Sequence, residues 1–313
     1  MSRALRADLH VHTTASDGTL APRRVVELAG QMGLVAVAIT DHDTCAGVSE
    51  ASQAGNATNV EVIPGVEINS DAGGREVHVL GYLVWPLPDR LAGLLERMRE
   101  AREARLDEMV RRLKKCGIAI SASRVREIAG SGVIGRPHVA RAMVEAGKVR
   151  SVGEAFQLYL DMGRPCYVER YKISPVETVA EIALAGGVPV FAHPGSAGRD
   201  DLISDMIQAG LRGIEVYHPD HDALTAEKYL ALCEREGLIA TGGSDSHGED
   251  ERGPTLGRVT VPYEVVESLK GVKACTGIPD QQPRYNTPRS DSMGGSPGEV
   301  RKTGREAGGR GTC

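Results

Sequence analysis

The sequence has few aromatic residues and no large excess of one charge. Tryptophan, phenylalanine and tyrosine together make up 4% of the 313 residues, too few for an extended surface on which the bases of single-stranded nucleic acid stack. The 37 basic and 42 acidic side chains give a formal net charge of −5. That balance is not the electrostatic footprint of a protein that binds duplex DNA or an anionic membrane through charge alone.

The sequence also lacks cysteine pairing motifs and long apolar runs. Its six cysteines are widely scattered without C-x-x-C spacing, and no secretory segment suggests an oxidising compartment. We therefore expect free thiols in a reducing cytoplasm. The N-terminus reaches charged residues before an apolar segment can form, and no later run approaches the ~18 apolar residues of a membrane span. The sequence predicts a cytoplasmic protein without a membrane anchor.

Short apolar runs alternate with stretches of helical pattern. Hydrophobic residues make up 41% of the chain, enough to bury a sizeable core. Runs of this kind suit strands that are buried on both faces, and they occupy residues 34–39, 77–84, 188–192, 214–217 and 238–241. The alternation indicates an α/β fold with a parallel sheet, either open or closed into a barrel.

Helix starts and two unusual regions divide the chain further. Pro22 suits the first position of a helix, and Ser174 to Glu177 has the spacing of a capping box. Residues 89–165 offer helical patterns and no convincing strand, so we expect a helical insertion whose charges lie mostly on a solvated helix face. Residues 280–313 are rich in Gly, Pro, Ser and Arg, which predicts a disordered tail.

Histidine and carboxylate side chains gather where the predicted strands end. His10 and His12 are two residues apart in the first strand, so both lie on one face and can chelate one ion. Asp17, in the turn that follows, is by itself an ordinary turn residue. The second strand ends in Asp41, His42 and Asp43, and burying three titratable groups without compensation costs several kcal/mol. We expect His42 to be a metal ligand and the two aspartates to orient its neighbours.

The later strands repeat this pattern. Each carries one or two side chains of the ligand type among apolar neighbours, namely Glu67, His78, His193, Asp245 and His247. A single histidine or glutamate in a strand is more often a hydrogen-bonded core residue. Because active sites form at the carboxyl ends of the strands in barrels and open α/β sheets alike, we expect these residues to converge on one pocket.

The ordered set of motifs resembles the PHP (polymerase and histidinol phosphatase) family of metal-dependent phosphoesterases. The matching segments are His10-Val11-His12, Ser16-Asp17-Gly18, Thr40-Asp41-His42-Asp43, Gly65-Val66-Glu67, His78, Ala192-His193-Pro194 and Gly243-Ser244-Asp245-Ser246-His247. The resemblance implies a distorted (β/α)7 barrel, formed here by residues 1–88 and 166–279, with residues 89–165 inserted. It also implies a trinuclear metal centre and hydrolysis of phosphate esters by a metal-bound hydroxide.

The resemblance assigns nine ligands to three divalent metal ions. His10, His12, Glu67 and Asp245 would hold the first ion, Glu67 would bridge to a second ion completed by His78 and His193, and Asp17, His42 and His247 would hold the third. Glu67 and Asp245 would also be catalytic. Ligands of the imidazole and carboxylate types without thiolate favour Mn²⁺, Fe²⁺ or Zn²⁺ over Ca²⁺, and we expect Mn²⁺ here.

Within the family, the segments at residues 134–140 and 163–172 resemble the branch that acts on nucleoside 3′,5′-bisphosphates and trims short 5′-phosphorylated RNA. The expected substrate is therefore a small nucleotide or a short oligonucleotide. A second phosphate would be bound by Arg136, Arg170 and Lys172, and Arg199 is a further candidate. The alternative is that these residues are ordinary surface charges. The alternatives are a phosphatase for histidinol phosphate or another small metabolite, and a metal-stabilised scaffold without catalysis.

Overall fold

The computed structural model describes residues 5–275. The strands are β1 (Arg6–Val11), β2 (Ala36–Ile39), β3 (Glu61–Ala72), β4 (Arg75–Tyr82), β5 (Val188–Phe191), β6 (Gly213–Tyr217), β7 (Ile239–Gly242), β8 (Glu249–Asp250), β9 (Gly253–Pro254) and β10 (Val261–Pro262). The α-helices are α1 (Pro22–Gln31), α2 (Val48–Thr58), α3 (Asp89–Lys115), α4 (Ala122–Ala129), α5 (Arg136–Glu145), α6 (Val152–Ala155), α7 (Pro175–Leu184), α8 (Pro194–Ala197), α9 (Ile203–Gln208), α10 (Ala223–Glu236) and α11 (Glu264–Cys275). A π-helical turn (Phe156–Leu160) follows α6, and a 3₁₀ turn (Asp200–Leu202) precedes α9.

Eight of these strands form one sheet that almost closes on itself. Their order is β10-β1-β2-β3-β4-β5-β6-β7. Past the end of β7, Val11 and Ser246 form a parallel bridge in which the His12 amide donates to the Ser246 carbonyl at 2.9 Å. This contact brings the first and last parallel strands together. The predicted α/β class and barrel form are therefore confirmed.

The expected parallel sheet has antiparallel members: β4 runs antiparallel to both of its neighbours, and β10 runs antiparallel to β1. Ala72 and Arg75 are paired, so only Gly73 and Gly74 connect β3 to β4. Both glycines have positive φ, +67° and +89°, as a two-residue hairpin turn that follows the strand twist requires. A Gly-Gly pair between two apolar runs is typical of a β-hairpin, so the sequence does indicate that β3 and β4 are antiparallel.

Helices cover the outside of the sheet, and the barrel interior has its own apolar core. Buried side chains of the strands fill that interior together with Val266 and Leu269 of α11. The Tyr82 hydroxyl crosses it to donate to the Leu9 carbonyl at 2.8 Å. The pairing of β1 with β2 shifts register between Asp8 and Val11, and such a bulge changes the direction in which the following side chains point. His10 lies within this irregular stretch.

The capping box predicted before α7 is present. The Glu177 amide donates to the Ser174 hydroxyl oxygen at 3.2 Å, and the Ser174 amide donates to the Glu177 carboxylate at 2.9 Å. The reciprocal bonds satisfy backbone donors that the first helical turn leaves without a partner. Pro22 likewise opens α1, as its position in the sequence predicts.

The regular elements between β4 and α7 are all helical, and residues 161–174 form no helix or strand. Helix α3 spans about 40 Å by its residue count and joins two cores, because Leu94 and Met98 pack into the barrel's outer core whereas Leu106 and Met109 pack into a second apolar cluster. Its middle turns therefore lie where the barrel meets the helical segment. All of these helices belong to one compact unit with the barrel.

Two further expectations concern cysteine and membrane insertion. Within residues 5–273, Cys45, Cys116, Cys166 and Cys233 carry free thiols, as expected. None of the helices described in the structure is both long and apolar enough to cross a bilayer. The tail predicted over residues 280–313 lies outside the described residues.

The close approach of β1 and β7 depends on Gly243. A Cβ atom at this position would lie 2.3 Å from the His10 amide nitrogen and 2.5 Å from the His10 Cβ atom. We expect Gly243→Ala to lower the free energy of unfolding by about 1–3 kcal/mol, the usual cost of overpacking. Gly271→Ala is the matched control, since nothing lies within 4 Å of a Cβ there and alanine favours the helix. Equal stability of the two variants in chemical denaturation would contradict this account of barrel closure.

Candidate active site

The predicted ligands meet at the carboxyl ends of the strands, around the buried carboxylate of Glu67. Its two oxygens face five imidazole nitrogens. Oε1 lies 2.8 Å from His78 Nδ1 and 3.1 Å from His193 Nε2, and Oε2 lies 2.9 Å from His42 Nδ1, 3.3 Å from His12 Nε2 and 3.4 Å from His10 Nε2. One glutamate on β3 thus contacts histidines that follow or belong to β1, β2, β4 and β5.

The other three predicted ligands border this group. Asp245 Oδ1 lies 3.0 Å from His12 Nε2 and 3.4 Å from His10 Nε2. Asp17 Oδ1 lies 3.3 Å from His247 Nε2, and its Oδ2 lies 3.9 Å from His42 Nε2. The structure therefore brings all nine residues into one cluster.

Asp41 and Asp43 hold the loops that carry these side chains. Asp41 accepts hydrogen bonds from the Thr13 amide at 2.7 Å, the Thr13 hydroxyl at 2.8 Å and the Ser16 hydroxyl at 2.6 Å, which fixes the turn before Asp17. Asp43 accepts from the Asn69 amide at 2.9 Å and from Arg102 Nε at 2.8 Å. Neither carboxylate belongs to the three groups of possible ligands described below.

Three site residues adopt left-handed backbone conformations two to four residues after the ends of strands. The φ angles are +53° at Asp43, +27° at His193 and +47° at Asp245. Non-glycine residues in this region cost about 1–3 kcal/mol each, and such strain is concentrated at functional sites. The sharp turns place side chains at the end of the barrel instead of continuing the strand.

The donor atoms fit metal ions. His12 Nδ1, Asp17 Oδ1, Glu67 Oε2 and Asp245 Oδ1 are buried without a hydrogen-bond partner, although buried polar atoms are normally satisfied. Ligand atoms lie within 4.8 Å of one another in three groups, which are His12, Asp17, His42 and His247; His10, His12 and Glu67; and His42, Glu67 and His78. His12 and His42 belong to two groups each, unlike the division that the resemblance implies.

Without metal ions, the imidazoles take up the positive charge that the carboxylates need. Burial alone would lower the pKa of His12, but the nearby carboxylates of Asp245 and Glu67 outweigh burial and raise it to about 10. Burial likewise opposes protonation of His78, yet Glu67 and Glu76 raise its pKa to about 9. Burial would raise the pKa of Glu67, and the surrounding histidines instead hold it well below its usual range. The cluster therefore requires cations, either protons or metal ions.

Sequence reasoning missed Glu215, a fully buried carboxylate in the middle of β6. Its Oε1 lies 2.9 Å from His10 Nδ1, and its Oε2 accepts from the His193 amide at 2.8 Å. Such outer contacts orient ligand histidines and fix their tautomers. The sequence does indicate a role for Glu215, because a carboxylate inside a buried strand needs a hydrogen-bond or ion-pair partner.

Two residues outside the nine predicted ligands, Asp8 and His218, support Asp245 and its loop. Asp8 accepts from the Ser244 amide at 2.9 Å and the Gly257 amide at 2.8 Å, and burial raises its pKa to about 6. His218 Nε2 lies 3.4 Å from Asp245 Oδ2. The Asp220 amide donates to His218 Nδ1 at 3.1 Å, so in the neutral ring the proton is on Nε2 and faces Asp245.

A cavity of about 280 Å³ opens beside the cluster. One part of its wall is formed by the ligand-type residues Asp17, His42, His78 and His247, and the other by Arg102, Arg105, Arg136, Arg170, Phe156 and Tyr171. Glu76 joins the two parts, because its Oε1 lies 3.0 Å from His78 Nε2 while Arg136 Nη2 donates to its Oε2 at 2.5 Å. Arg170 pairs with the same carboxylate. Sequence reasoning did not single out Glu76.

The four predicted phosphate-binding residues differ in position. Arg136, at the start of α5, and Arg170 line the cavity. Lys172 is 65% exposed and pairs with Glu169 at 2.8 Å, and Arg199 Nη2 pairs with Asp201 at 2.7 Å. Neither Lys172 nor Arg199 belongs to the residues that line this cavity.

The charges of α3 are expected to lie mostly on a solvated face, and two arginines are exceptions. Arg102 reaches Asp43, and Arg105 is 8% exposed. Both lie in the turns of α3 between its two apolar ends, where residues 166–172 and the site loops pack against the helix. This contact between distant segments has no signature in the helical charge pattern.

Known proteins are similar to this chain in sequence and in fold. A family model described as the PHP domain matches residues 8–84. The chain is 36% identical over 256 residues to a 3′,5′-nucleoside bisphosphate phosphatase of Chromobacterium violaceum, covering 80% of this chain and 90% of that protein. It is 33% identical to a phosphoribosyl 1,2-cyclic phosphate 1,2-diphosphodiesterase of Eggerthella lenta, with 80% and 97% covered. A 5′-3′ exoribonuclease of Escherichia coli is 32% identical, with 77% and 84% covered.

A solved structure from Bifidobacterium adolescentis, assigned as a metal-dependent phosphoesterase, superposes on this fold with a TM-score of 0.79. It is 34% identical, and the match covers 85% of this chain and 96% of the other. The sequence identity, the fold and the cluster at the strand ends agree. This chain belongs to the PHP family of metal-dependent phosphoesterases and is a hydrolase.

Proposed function

We propose that this chain hydrolyses phosphate monoesters of nucleotides, above all nucleoside 3′,5′-bisphosphates, from which it releases the 3′-phosphate. Short 5′-phosphorylated oligoribonucleotides are a related substrate class. The observation that carries the proposal is one cavity with two kinds of wall, a cluster of imidazoles and carboxylates on one side and four arginines on the other. A substrate with a reacting phosphate and a second anionic group matches this division. The names of the C. violaceum and E. coli relatives support it.

In our proposal, nine residues would hold three divalent metal ions. The preferred ion is Mn²⁺, and Zn²⁺ and Fe²⁺ are the alternatives. The nine residues are His10, His12, Asp17, His42, Glu67, His78, His193, Asp245 and His247. Bound divalent ions supply a nucleophile at neutral pH by lowering the pKa of water, and they neutralise charge on phosphoryl oxygens. The buried unpartnered atoms in the cluster support their presence.

The residues of the chain then have separate tasks. Glu67 contacts five of the histidines and keeps them in register, which makes it the central bridging ligand of the proposal. Asp245 is 27% exposed on its side chain, so it lies at the accessible side of the cluster, where a substrate can reach it. His218 presents its Nε2 proton to Asp245 and holds that carboxylate in place.

A substrate panel tests the proposal. We expect the Mn²⁺-loaded protein to hydrolyse adenosine 3′,5′-bisphosphate with a higher kcat/KM than histidinol phosphate, because only the bisphosphate offers a second phosphate to the arginines. Phosphoribosyl 1,2-cyclic phosphate also carries a second phosphate, so it tests whether a cyclic diester is preferred to a monoester. Chelation should abolish turnover, and added Mn²⁺ should restore it. Phosphate release is measured for each compound, and a 5′-phosphorylated dinucleotide is included.

Each alternative has its own result in this panel. Preference for histidinol phosphate or the cyclic ester would replace the nucleotide proposal by a metabolite phosphatase or a diesterase. A metal-loaded, folded protein without activity on any compound would instead support the scaffold hypothesis. The complete set of nine ligand-type residues argues against that last outcome.

Glu67→Gln tests the bridging role. The amide keeps the size of the side chain but removes the charge that two groups of possible ligands share, so we expect kcat to fall by at least about 100-fold, more than the usual effect of outer-shell changes. Circular dichroism should show an unchanged fold. Turnover near that of the unmutated protein at full metal content would refute the assignment.

Glu215→Gln tests the orientation of His10 and His193. Gln removes the charge and one acceptor oxygen, so we expect metal affinity to fall about 10- to 100-fold, measured by competition with a chelator. Glu61→Gln is the matched control, because Glu61 also lies in a barrel strand but pairs with Tyr263 and Lys270 away from the cluster. Equal metal affinity of the two variants would show that Glu215 has no such role.

A further inference from the structure

Asp17 lies in a turn, residues 13–18, that follows β1 and belongs to no strand. Its Oδ1 is buried without a hydrogen-bond partner. One group of possible ligands consists of Asp17 with His12, His42 and His247. Because an aspartate side chain is short, the place of this carboxylate in the group depends on the backbone of the turn.

The barrel holds this turn through one side chain, that of Asp41. The carboxylate of Asp41 accepts from the Thr13 amide, the Thr13 hydroxyl and the Ser16 hydroxyl. These bonds fix the start and the middle of the turn. None of them involves the carbonyl oxygens of Ala15, Ser16 or Asp17, which are therefore left for other donors.

Donors of the helical segment reach two of these carbonyl oxygens. The Val133 amide, which precedes α5, donates to the Ala15 carbonyl at 2.9 Å. Arg141 Nη2, in α5, donates to the Asp17 carbonyl at 2.6 Å. Hydrogen bonds from a charged guanidinium group are roughly twice as strong as neutral ones. Since 124 positions separate Arg141 from Asp17, this bond forms only when the helical segment packs on the barrel.

His138 and Gly132 show how closely the helical segment approaches the turn. His138 is buried in the first turn of α5 and makes a hydrogen bond with the backbone of Ser16. The Gly135 amide donates to His138 Nδ1 at 3.0 Å, so in the neutral ring the proton is on Nε2. A Cβ atom at Gly132 would lie 2.5 Å from the Thr14 carbonyl oxygen and 2.9 Å from that of Ser16. Three successive residues of the turn are thus held from the helical segment.

We propose that Arg141 is a positioning residue, which holds the Asp17 carboxylate in place as a metal ligand. The inference rests on the proposed function, because it concerns one of the ions that this function requires. Arg141 acts through the Asp17 carbonyl and is not itself a ligand-type residue. The helical segment therefore completes the ligand group that Asp17 shares with His12, His42 and His247.

The charge of Arg141 and its hydrogen bond have opposite effects on a cation at Asp17. A guanidinium group repels a metal ion, so removal of the charge alone would strengthen metal binding. Loss of the hydrogen bond frees the turn and weakens metal binding. The sign of the change in metal affinity therefore distinguishes positioning from electrostatic repulsion.

Arg141→Met in the full chain is the test. We expect the affinity for one equivalent of Mn²⁺ to fall about 10- to 100-fold, as for other residues that orient ligands, measured by dialysis against buffered Mn²⁺ and elemental analysis. Raising the free Mn²⁺ concentration should restore the metal content and kcat, which a misfolded site would not allow. Arg141→Lys keeps a charged donor without the planar guanidinium group, so its loss should be intermediate. Unchanged or higher affinity in Arg141→Met would overturn the proposal.

Arg112→Met is the matched control for a general loosening of the helical segment. Arg112 also donates from its guanidinium group to a backbone carbonyl, that of Tyr167, and it pairs with Glu108. None of these contacts involves the turn of residues 13–18. We expect this variant to keep the metal affinity of the unmutated protein. The same loss of Mn²⁺ in both variants would refute a specific role for Arg141.

A double-variant cycle tests whether Arg141 acts through Asp17. Asp17→Asn removes the charge of the ligand itself, so it should weaken binding of the same Mn²⁺ equivalent. If Arg141 only positions Asp17, adding Arg141→Met to Asp17→Asn should lower the affinity by less than about 3-fold further. Full additivity of the two losses would show that Arg141 does not act through Asp17.

Hydrogen exchange in the metal-free protein separates this inference from the proposed function. The Ser16 and Gly18 amides each donate to the Thr13 carbonyl at 3.0 Å, so their exchange reports the order of the turn. We expect Arg141→Met to speed this exchange at least about 10-fold, the effect of losing one hydrogen bond to a charged group, and Arg112→Met to leave it unchanged.

The two hypotheses then fail separately. If the unmutated protein hydrolyses no nucleotide or binds no divalent ion, the proposed function is wrong, and faster exchange in Arg141→Met still shows that Arg141 holds the Asp17 turn. Unchanged exchange in Arg141→Met overturns the role of Arg141, whatever the protein binds or hydrolyses.

Discussion

The burial of Glu67 is the constraint on which the rest of the site depends. A carboxylate with about 1% of its surface exposed is tolerated only where opposite charge or strong donors compensate the loss of water. Five imidazoles provide that environment, and they come from elements far apart in the sequence. The barrel must therefore close for the cluster to exist, since Val11 and Ser246 join the two ends of the sheet next to His10, His12 and Asp245.

Closure has a cost that appears in the backbone. Three residues with positive φ follow strand ends at the site, and β1 and β7 approach so closely that only glycine fits at residue 243. Interactions elsewhere hold these strained turns, among them the hydrogen bonds that the Ser244 and Gly257 amides donate to Asp8. The apolar interior and α11 stabilise the opposite end of the barrel. The apolar core that stabilises the barrel and the cluster of ligand-type residues thus lie at different ends of one sheet.

The sequence predicted the cluster well because each ligand-type residue follows or interrupts an apolar run. His42 and His193 stand out for this reason, and the α/β barrel follows from the same alternation. Glu215 was missed although it also interrupts an apolar run, because it matches no motif. Arg105 could not have been found, since its helix carries charges at a spacing typical of a solvated face. Its burial arises from residues 166–172, more than 60 positions away, as the bond to Val168 shows.

The antiparallel direction of β4 was not predicted, for a different reason. Gly73 and Gly74 encode the turn locally, but the alternation of strands and helices elsewhere favoured a parallel sheet. The consequence is functional, because the hairpin places Glu76 and His78 on the same antiparallel strand, two residues apart on one face. One strand thereby supplies a ligand-type histidine and the carboxylate that binds the arginines.

Glu76 connects the cluster at the strand ends to the helical segment. On one side its carboxylate contacts His78 of the cluster, and on the other it pairs with Arg136 and Arg170, which belong to the helical segment and its exit. In the proposed function, the cluster carries out the hydrolysis and the arginines bind a second anion of the substrate. Changes in the helical segment can therefore alter the preferred substrate while the strand ends remain intact.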